Sequence, residues 1–359
     1  MFDFLDNWLA TGGFWVAVPL IIVGCVALIK GADFLVDGAS GLAKKYGVSD
    51  IVIGLTVVAF GTSMPEFVVN MVAVGQGSTE IAITNVLGSN IINTFVILGC
   101  TALIFPISSQ KTTRRFDIPF SMLAALLVLL FAVYNSPSWL QIEHIFNMNI
   151  ADPTLSDLGS IQMGQGNGGF ISGVGGCILL IFFLTFLWHN FKGIGNAPQT
   201  ESNEGYKPMS AKRALALILG GLVGLVVGGE LIVKSATSIA HSLGVSDAII
   251  GLTVVALGTS LPELATSCMA AFKKNCDIAL GNVIGSNIFN IFFILGTSAC
   301  VKALPGYHGL EIDALMAALG SVLVMLFVYL TKKHEIKRWH GAILLLTYAA
   351  YLAYRIITL

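Results

Sequence analysis

Residues 47–99 align without a gap on residues 244–296, at a constant offset of 197, and 30 of the 53 aligned positions are identical. The blocks GVSD, IGLTVVA, GTSxPE, NVxGSNI and FxILG recur in the same order in both copies. A fold for this chain therefore has to give both copies the same local structure. What relates the two copies depends on the setting in which they lie.

That setting is apolar. Hydrophobic residues make up 55% of the 359 positions and charged residues only 11%, where a soluble domain carries about a quarter. Ten apolar runs of roughly 20 residues, the length that crosses a bilayer, lie near 14–29, 51–74, 81–105, 116–134, 168–188, 214–232, 248–272, 278–301, 312–331 and 339–357. Backbone amides in hydrocarbon must be satisfied within the segment, so these runs are expected to be helices. Two polar stretches interrupt them: 135–167 has three acids and no Lys or Arg, and 190–213 is rich in Gly, Pro, Ser, Asn and Lys. The expected fold is an all-α polytopic membrane protein with ten transmembrane helices. Its expected parts are an N-terminal five-helix half (1–189), a linker (190–213) and a C-terminal five-helix half (214–359). The six cysteines include no CxxC pair and read as small hydrophobes without a disulfide framework. No cleavable leader is expected, because the first seven residues carry two acids and no base.

Basic residues orient the helices. With the N-terminus outside, 16 of the 19 fall in inward-facing connections or at inner helix ends, leaving Lys234, Lys302 and Arg355. Both termini are therefore expected outside the plasma (inner) membrane, with the linker cytosolic. Five runs separate each residue from its copy. An odd number inserts the copies in opposite directions, so the halves form two inverted repeats with a site near the midplane where they meet.

The repeated motifs put chemistry at that depth. Run 51–74 contains GTSMPE and run 248–272 contains GTSLPE. Each sets Thr, Ser, Pro and Glu in mid-membrane, where an unpaired carboxylate costs several kcal/mol. No Lys, Arg or His lies at similar depth, so Glu66 and Glu263 need a bound cation or a proton. Pro65 and Pro262 lack the amide hydrogen that would engage the carbonyls of Gly61 and Gly258. Carboxylates, hydroxyls and carbonyls are hard oxygen ligands, suited to Ca²⁺ or Na⁺ rather than to zinc or copper. The motifs NVLGSNIIN and NVIGSNIFN add Ser89 and Asn93, and Ser286 and Asn290, four apart and so on one helix face. Asn85 and Asn282 lie one turn earlier on that face. Gly88 and Gly285 permit close helix approach. Asn90 and Asn287 fit ligand and interhelical glue equally well.

GTSxPE followed by GSNxxN, twice in one chain, resembles the α-repeats of the sodium/calcium exchanger superfamily of calcium/cation antiporters. The resemblance covers both halves. It implies a secondary active antiporter exchanging Ca²⁺ for Na⁺ by alternating access around a central cation cluster. Carried over by position, it implies that Glu66, Glu263, Thr62 and Thr259 bind Ca²⁺. Ala59, Thr62 and Ser89, with their copies Ala256, Thr259 and Ser286, would contribute to flanking Na⁺ sites. Ser63, Ser260, Asn93 and Asn290 would complete the cluster. In sodium-coupled members the position of Asn290 is commonly aspartate. Here both halves carry asparagine, so two carboxylates balance one Ca²⁺ or, equally, two protons, and H⁺/Ca²⁺ antiport is the alternative.

Other readings have less behind them. A channel would use the same ligands without needing two pseudo-symmetric gates. An intramembrane enzyme needs a nucleophile with a base, an aspartate pair or HExxH within the runs, and none occurs. Asp33 and Glu230, equivalent by the repeat, fit a hydrated helix end or a permeation path. Glu143, Asp152 and Asp157 read as solvated loop acids, and the six histidines fall in loops or at run ends. The expected partners are the transported ions and membrane lipid, with no cofactor and no nucleic acid, for a chain working as a monomer.

Overall fold

A computed structural model of the chain describes residues 3–134, 171–192, 209–243, 256–307 and 309–358. The helices are α1 (Asp3–Tyr46), α2 (Asp50–Thr62), α3 (Met64–Gly75), α4 (Thr79–Ile104), α5 (Thr113–Ala132), α6 (Gly173–Lys192), α7 (Ala211–Ser242), α8 (Ala256–Thr259), α9 (Leu261–Phe272), α10 (Cys276–Val301), α11 (Leu310–Leu330) and α12 (Arg338–Thr358). Two short strands, β1 (Ile107–Ser108) and β2 (Glu335–Ile336), pair antiparallel. Among the described residues, eight helices are long and apolar enough to span a membrane, or nine when α2 and α3, bent by 44°, count as one. The run at 248–272 is represented by α8 and α9 alone, because residues 248–255 lie outside the described residues. So do 135–170, with the loop acids and His144, most of the 190–213 linker, and His308.

Two runs are longer than the sequence suggests. The helix expected at 14–29 continues to Tyr46, and the one expected at 214–232 fills Ala211–Ser242. Charges at Lys30, Asp33 and Glu230 mark false ends, because they are accommodated within the helices. Asp33 and Asp37, one turn apart on α1, each lie 2.6 Å from Lys273 just past α9. Glu230 lies 4.0 Å from Lys234, one turn along its own helix. Such pairs at a partly solvated surface add little stability, but they remove the reason for the helix to stop.

The inversion is visible in the packing. Helices α3 and α10 end to end match α9 and α4 shifted by 197 residues. Helices α1 and α7 lie antiparallel, with Gly24 against Gly228, Gly31 against Gly221 and Gly38 against Ala214. The repeat maps Gly31 onto Gly228 and Gly24 onto Gly221, so the first two contacts are copies of each other. The β1–β2 pair joins Ile107 to Ile336, while Leu304, the copy of Ile107, bridges to Ile171. Burial follows the same plan. In the most apolar stretch of α10, 94% of residues are buried, and of α4 72%, against 17% in α1 and α12. The two helices carrying GSNxxN therefore form the centre of the bundle and α1 lies at its edge.

The α1–α7 seam makes a stability prediction. A Cβ on Gly221 would stand 2.7 Å from the Gly31 carbonyl oxygen, and one on Gly31 2.8 Å from that of Gly221. Both are backbone contacts that a side-chain rotation cannot relieve. Gly221→Val is therefore expected to cost about 1–3 kcal/mol as overpacking, read as a lower melting midpoint in detergent. Unchanged melting would mean that the two helices separate without cost.

Candidate cation site

The glutamates owe their positions to the prolines that precede them. Pro65 and Pro262 sit in the first turns of α3 and α9, where a missing amide hydrogen costs least. Each span consequently breaks at the serine before it, Ser63 (φ −84°, ψ 5°) and Ser260 (φ −90°, ψ 5°). Glu66 and Glu263 fall in the first turn of the new helix, whose amide dipoles favour negative charge. They are 1% and 0% exposed.

The two halves exchange hydrogen bonds here. Ser63 Oγ donates to Glu263 Oε1 at 3.0 Å and Ser260 Oγ donates to Glu66 Oε1 at 3.5 Å. The two bonds are copies under the repeat, and each ties one half's broken span to the other's carboxylate. The second oxygens, Glu66 Oε2 and Glu263 Oε2, are buried and accept no hydrogen bond among the described residues. Neither carboxylate forms an ion pair there.

Helices α4 and α10 hold the breaks in place. Asn85 Nδ2 donates to the Glu66 carbonyl oxygen at 3.4 Å and to Asn70 Oδ1 at 2.7 Å. Asn282 Nδ2 donates to the Glu263 carbonyl oxygen at 3.2 Å and to Ser267 Oγ at 2.9 Å. Thr62 Oγ1 donates to Asn282 Oδ1 at 3.1 Å. Asn70 and Ser267 were not among the expected site residues. They occupy equivalent positions but are different amino acids, so identity between the copies does not flag them.

Ser89, Ser286, Asn93 and Asn290 are all at most 2% exposed. Their oxygens Ser89 Oγ, Ser286 Oγ, Asn93 Oδ1 and Asn290 Oδ1, together with Thr259 Oγ1, are buried without a hydrogen-bond partner among the described residues. Asn93 and Asn290 fall in equivalent widened turns, Ile92–Ile97 and Phe289–Leu295, where the helix takes π geometry. Such turns recur at functional sites. Asn90 and Asn287 use their amide hydrogens as glue: Asn90 Nδ2 donates to the Asn287 carbonyl at 3.2 Å and Asn287 Nδ2 to Thr94 Oγ1 at 2.8 Å. The Ala59 carbonyl accepts from the Ser63 amide at 3.0 Å and from Thr62 Oγ1 at 3.3 Å. Ala256 opens α8, and its side chain lies outside the description.

The halves differ in how these asparagines pair. Asn290 Nδ2 donates to Asn90 Oδ1 at 3.0 Å, whereas the equivalent Asn287 Oδ1 has no partner among the described residues. Thr94 supplies the difference. It gives the Asn287 amide an acceptor, and its copy, Ile291, has none to offer Asn90. Of the remaining candidates, Asp33 is engaged by Lys273, and His189 and His340 stack on Phe116 and Phe327. Among the described residues no three His, Cys, Asp or Glu side chains group together. The centre thus offers two carboxylates and a set of neutral oxygens, a donor set for hard cations.

Comparison with known proteins agrees with this chemistry. The family model described as sodium/calcium exchanger protein matches residues 16–192 and 213–357. The chain is 35% identical to the putative antiporter CaxA of Alkalimonas amylolytica, over 94% of this chain and 97% of that protein. It is 33% identical to the sodium/calcium exchanger MaX1 of Methanosarcina acetivorans, over 93% of this chain and 96% of that one. A structure of the sodium-calcium exchanger NCX_Mj soaked with Na⁺ and Sr²⁺ superposes with a TM-score of 0.75 at 31% identity, covering 95% of this chain and 99% of that one.

Proposed function

Because the chain belongs to the sodium/calcium exchanger family, we propose that it exchanges Ca²⁺ for Na⁺ across the membrane by alternating access, at the cluster around Glu66 and Glu263. The chain is a membrane transporter and not an enzyme. The observation that carries the finer reading is a set of buried oxygens, drawn from both halves, that have no hydrogen-bond partner among the described residues. Seven of them belong to the residues expected at the cation site: Glu66, Glu263, Thr259, Ser89, Ser286, Asn93 and Asn290. Buried polar atoms without partners are costly, and a dehydrated cation satisfies them together.

The resemblance to the family supplies the division of labour, and charge is consistent with it. One Ca²⁺ neutralises two carboxylates, and Glu66 and Glu263, with Thr62 and Thr259, hold Ca²⁺. Ala59, Thr62 and Ser89, and Ala256, Thr259 and Ser286, supply the Na⁺ positions, and Ser63, Ser260, Asn93 and Asn290 close the shell. Two protons would balance the same carboxylates, which is the case for H⁺/Ca²⁺ antiport. Protons would neutralise the glutamates and leave the neutral oxygens of Ser89, Ser286, Asn93 and Asn290 unsatisfied. Sodium engages them, and it is the reading preferred here. An antiporter requires a counter-cation, so Ca²⁺ release from liposomes holding the protein should stop when no exchangeable cation is present outside. Continued release would identify a channel.

We propose that both termini lie outside and 190–213 in the cytosol, an orientation that the basic-residue asymmetry supports, in an inner-membrane protein working as a monomer. A single cysteine introduced at Gln199 in a cysteine-free chain is expected to resist an impermeant maleimide in intact cells and to react after permeabilisation. Labelling in intact cells would reverse the orientation.

A further inference from the structure

We propose that Cys177 and Cys300 form a thiol–disulfide site, which closes to a disulfide by exchange with a small disulfide carrier and staples α6 to α10. Their Sγ atoms lie 3.7 Å apart although 123 residues separate them in sequence. Both thiols are exposed. Cys177 is in the second turn of α6, and Cys300 is in the last turn of α10, beside the exposed Lys302 that marks the end of the span.

The backbones around them are fixed by independent contacts. Ile171 and Leu304 exchange amide hydrogen bonds of 3.1 and 3.0 Å. A Cβ on Gly176 would stand 2.6 Å from the Gly296 carbonyl oxygen, so the two helices touch backbone to backbone one residue away from Cys177. The thiols are thereby held as neighbours, and side-chain rotation is the adjustment needed to bring sulfur to sulfur. The pair is not part of the internal repeat, since the copy of Cys300 is Leu103. It serves something other than the symmetric cation site. Of the other cysteines, Cys25 is exposed, Cys100 and Cys268 are half-buried and Cys276 is buried.

The chemistry balances without a metal. One thiolate attacks a carrier disulfide R–S–S–R, forming a mixed disulfide and releasing R–S⁻. The second thiolate displaces the other R–S⁻, and two electrons and two thiol protons leave with two R–SH. The bond closes a long loop, which constrains the unfolded chain most.

The test uses the full chain in detergent, with a protease site introduced between residues 192 and 209 so that Cys177 and Cys300 lie on opposite sides of the cut. After equilibration with oxidised glutathione, free thiols are blocked with N-ethylmaleimide, the protein is denatured and cleaved, and the fragments are separated without reductant. Expected is one full-length band for the parent and for Cys276→Ser, which separates into halves on reduction. Cys177→Ser and Cys300→Ser are expected to give separated halves. The oxidised parent is expected to melt roughly 5 °C or more above the reduced one, a shift absent in both serine variants. Separated halves in the oxidised parent, or joined halves in Cys177→Ser, would overturn the assignment.

Discussion

Glu66→Gln and Glu263→Gln are each expected to abolish Ca²⁺ transport in a protein that still folds. Glutamine keeps the shape of the side chain and an oxygen that Ser260 or Ser63 can donate to, so the bonds between the halves survive. What changes is charge. With one carboxylate left, a dehydrated Ca²⁺ at the site carries an uncompensated positive charge in a medium that screens it poorly. A penalty of about 3 kcal/mol corresponds to more than a hundredfold in affinity. The repeat predicts equal losses for the two variants. The readout is ⁴⁵Ca²⁺ uptake into liposomes, normalised to monodisperse protein. Parental flux in either variant would show that the glutamate is structural.

Aspartate at positions 93 and 290 is expected to have unequal effects on folding and similar effects on coupling. Asn290→Asp removes the hydrogen that Asn290 Nδ2 gives to Asn90 Oδ1 and sets a carboxylate oxygen against that carbonyl. Asn90 cannot turn its amide over without losing its bond to the Asn287 carbonyl. Either course leaves a buried polar group unmatched, at about 1–3 kcal/mol. The interhelical amide bond formed by Asn290 has no counterpart at Asn93, because Thr94 draws the Asn287 amide away. Asn93→Asp should therefore melt close to the parent and Asn290→Asp below it. Each variant adds a third negative charge when ionised, which favours one more monovalent cation. Ca²⁺ flux should become steeper in Na⁺ and more sensitive to voltage. Unchanged steepness and voltage dependence in both active variants would show that these positions do not set the stoichiometry.

The parts of this molecule that are legible in the sequence are those repeated in it. The break before each glutamate follows from Pro65 and Pro262. The inversion follows from an odd number of apolar runs between copies. The shared face of Ser89 and Asn93 follows from their spacing. What the reading misses depends on partners distant in sequence. Helix α1 continues past Lys30 because Lys273 receives Asp33 and Asp37, a pairing that no local pattern announces. The breaks are held by Asn85 and Asn282, and those by Asn70 and Ser267, which differ between copies and so escape a comparison of them. Asn90 and Asn287 could not be assigned from spacing, since a polar residue on a central helix serves a ligand or a neighbouring helix alike. The asymmetry around Asn287 is written plainly at one position, Thr94 against Ile291, but its effect needs the geometry of Asn287 to be read.

The central claim is sodium-driven calcium exchange. Its most direct test is ⁴⁵Ca²⁺ uptake into liposomes holding the purified chain, loaded with Na⁺ and diluted into Na⁺-free medium at constant pH, beside a second set with an outward proton gradient and no Na⁺. Uptake driven by the Na⁺ gradient, and absent with the proton gradient, is the expected result. Uptake that follows the proton gradient and ignores Na⁺ would contradict the account and make the chain an H⁺/Ca²⁺ antiporter.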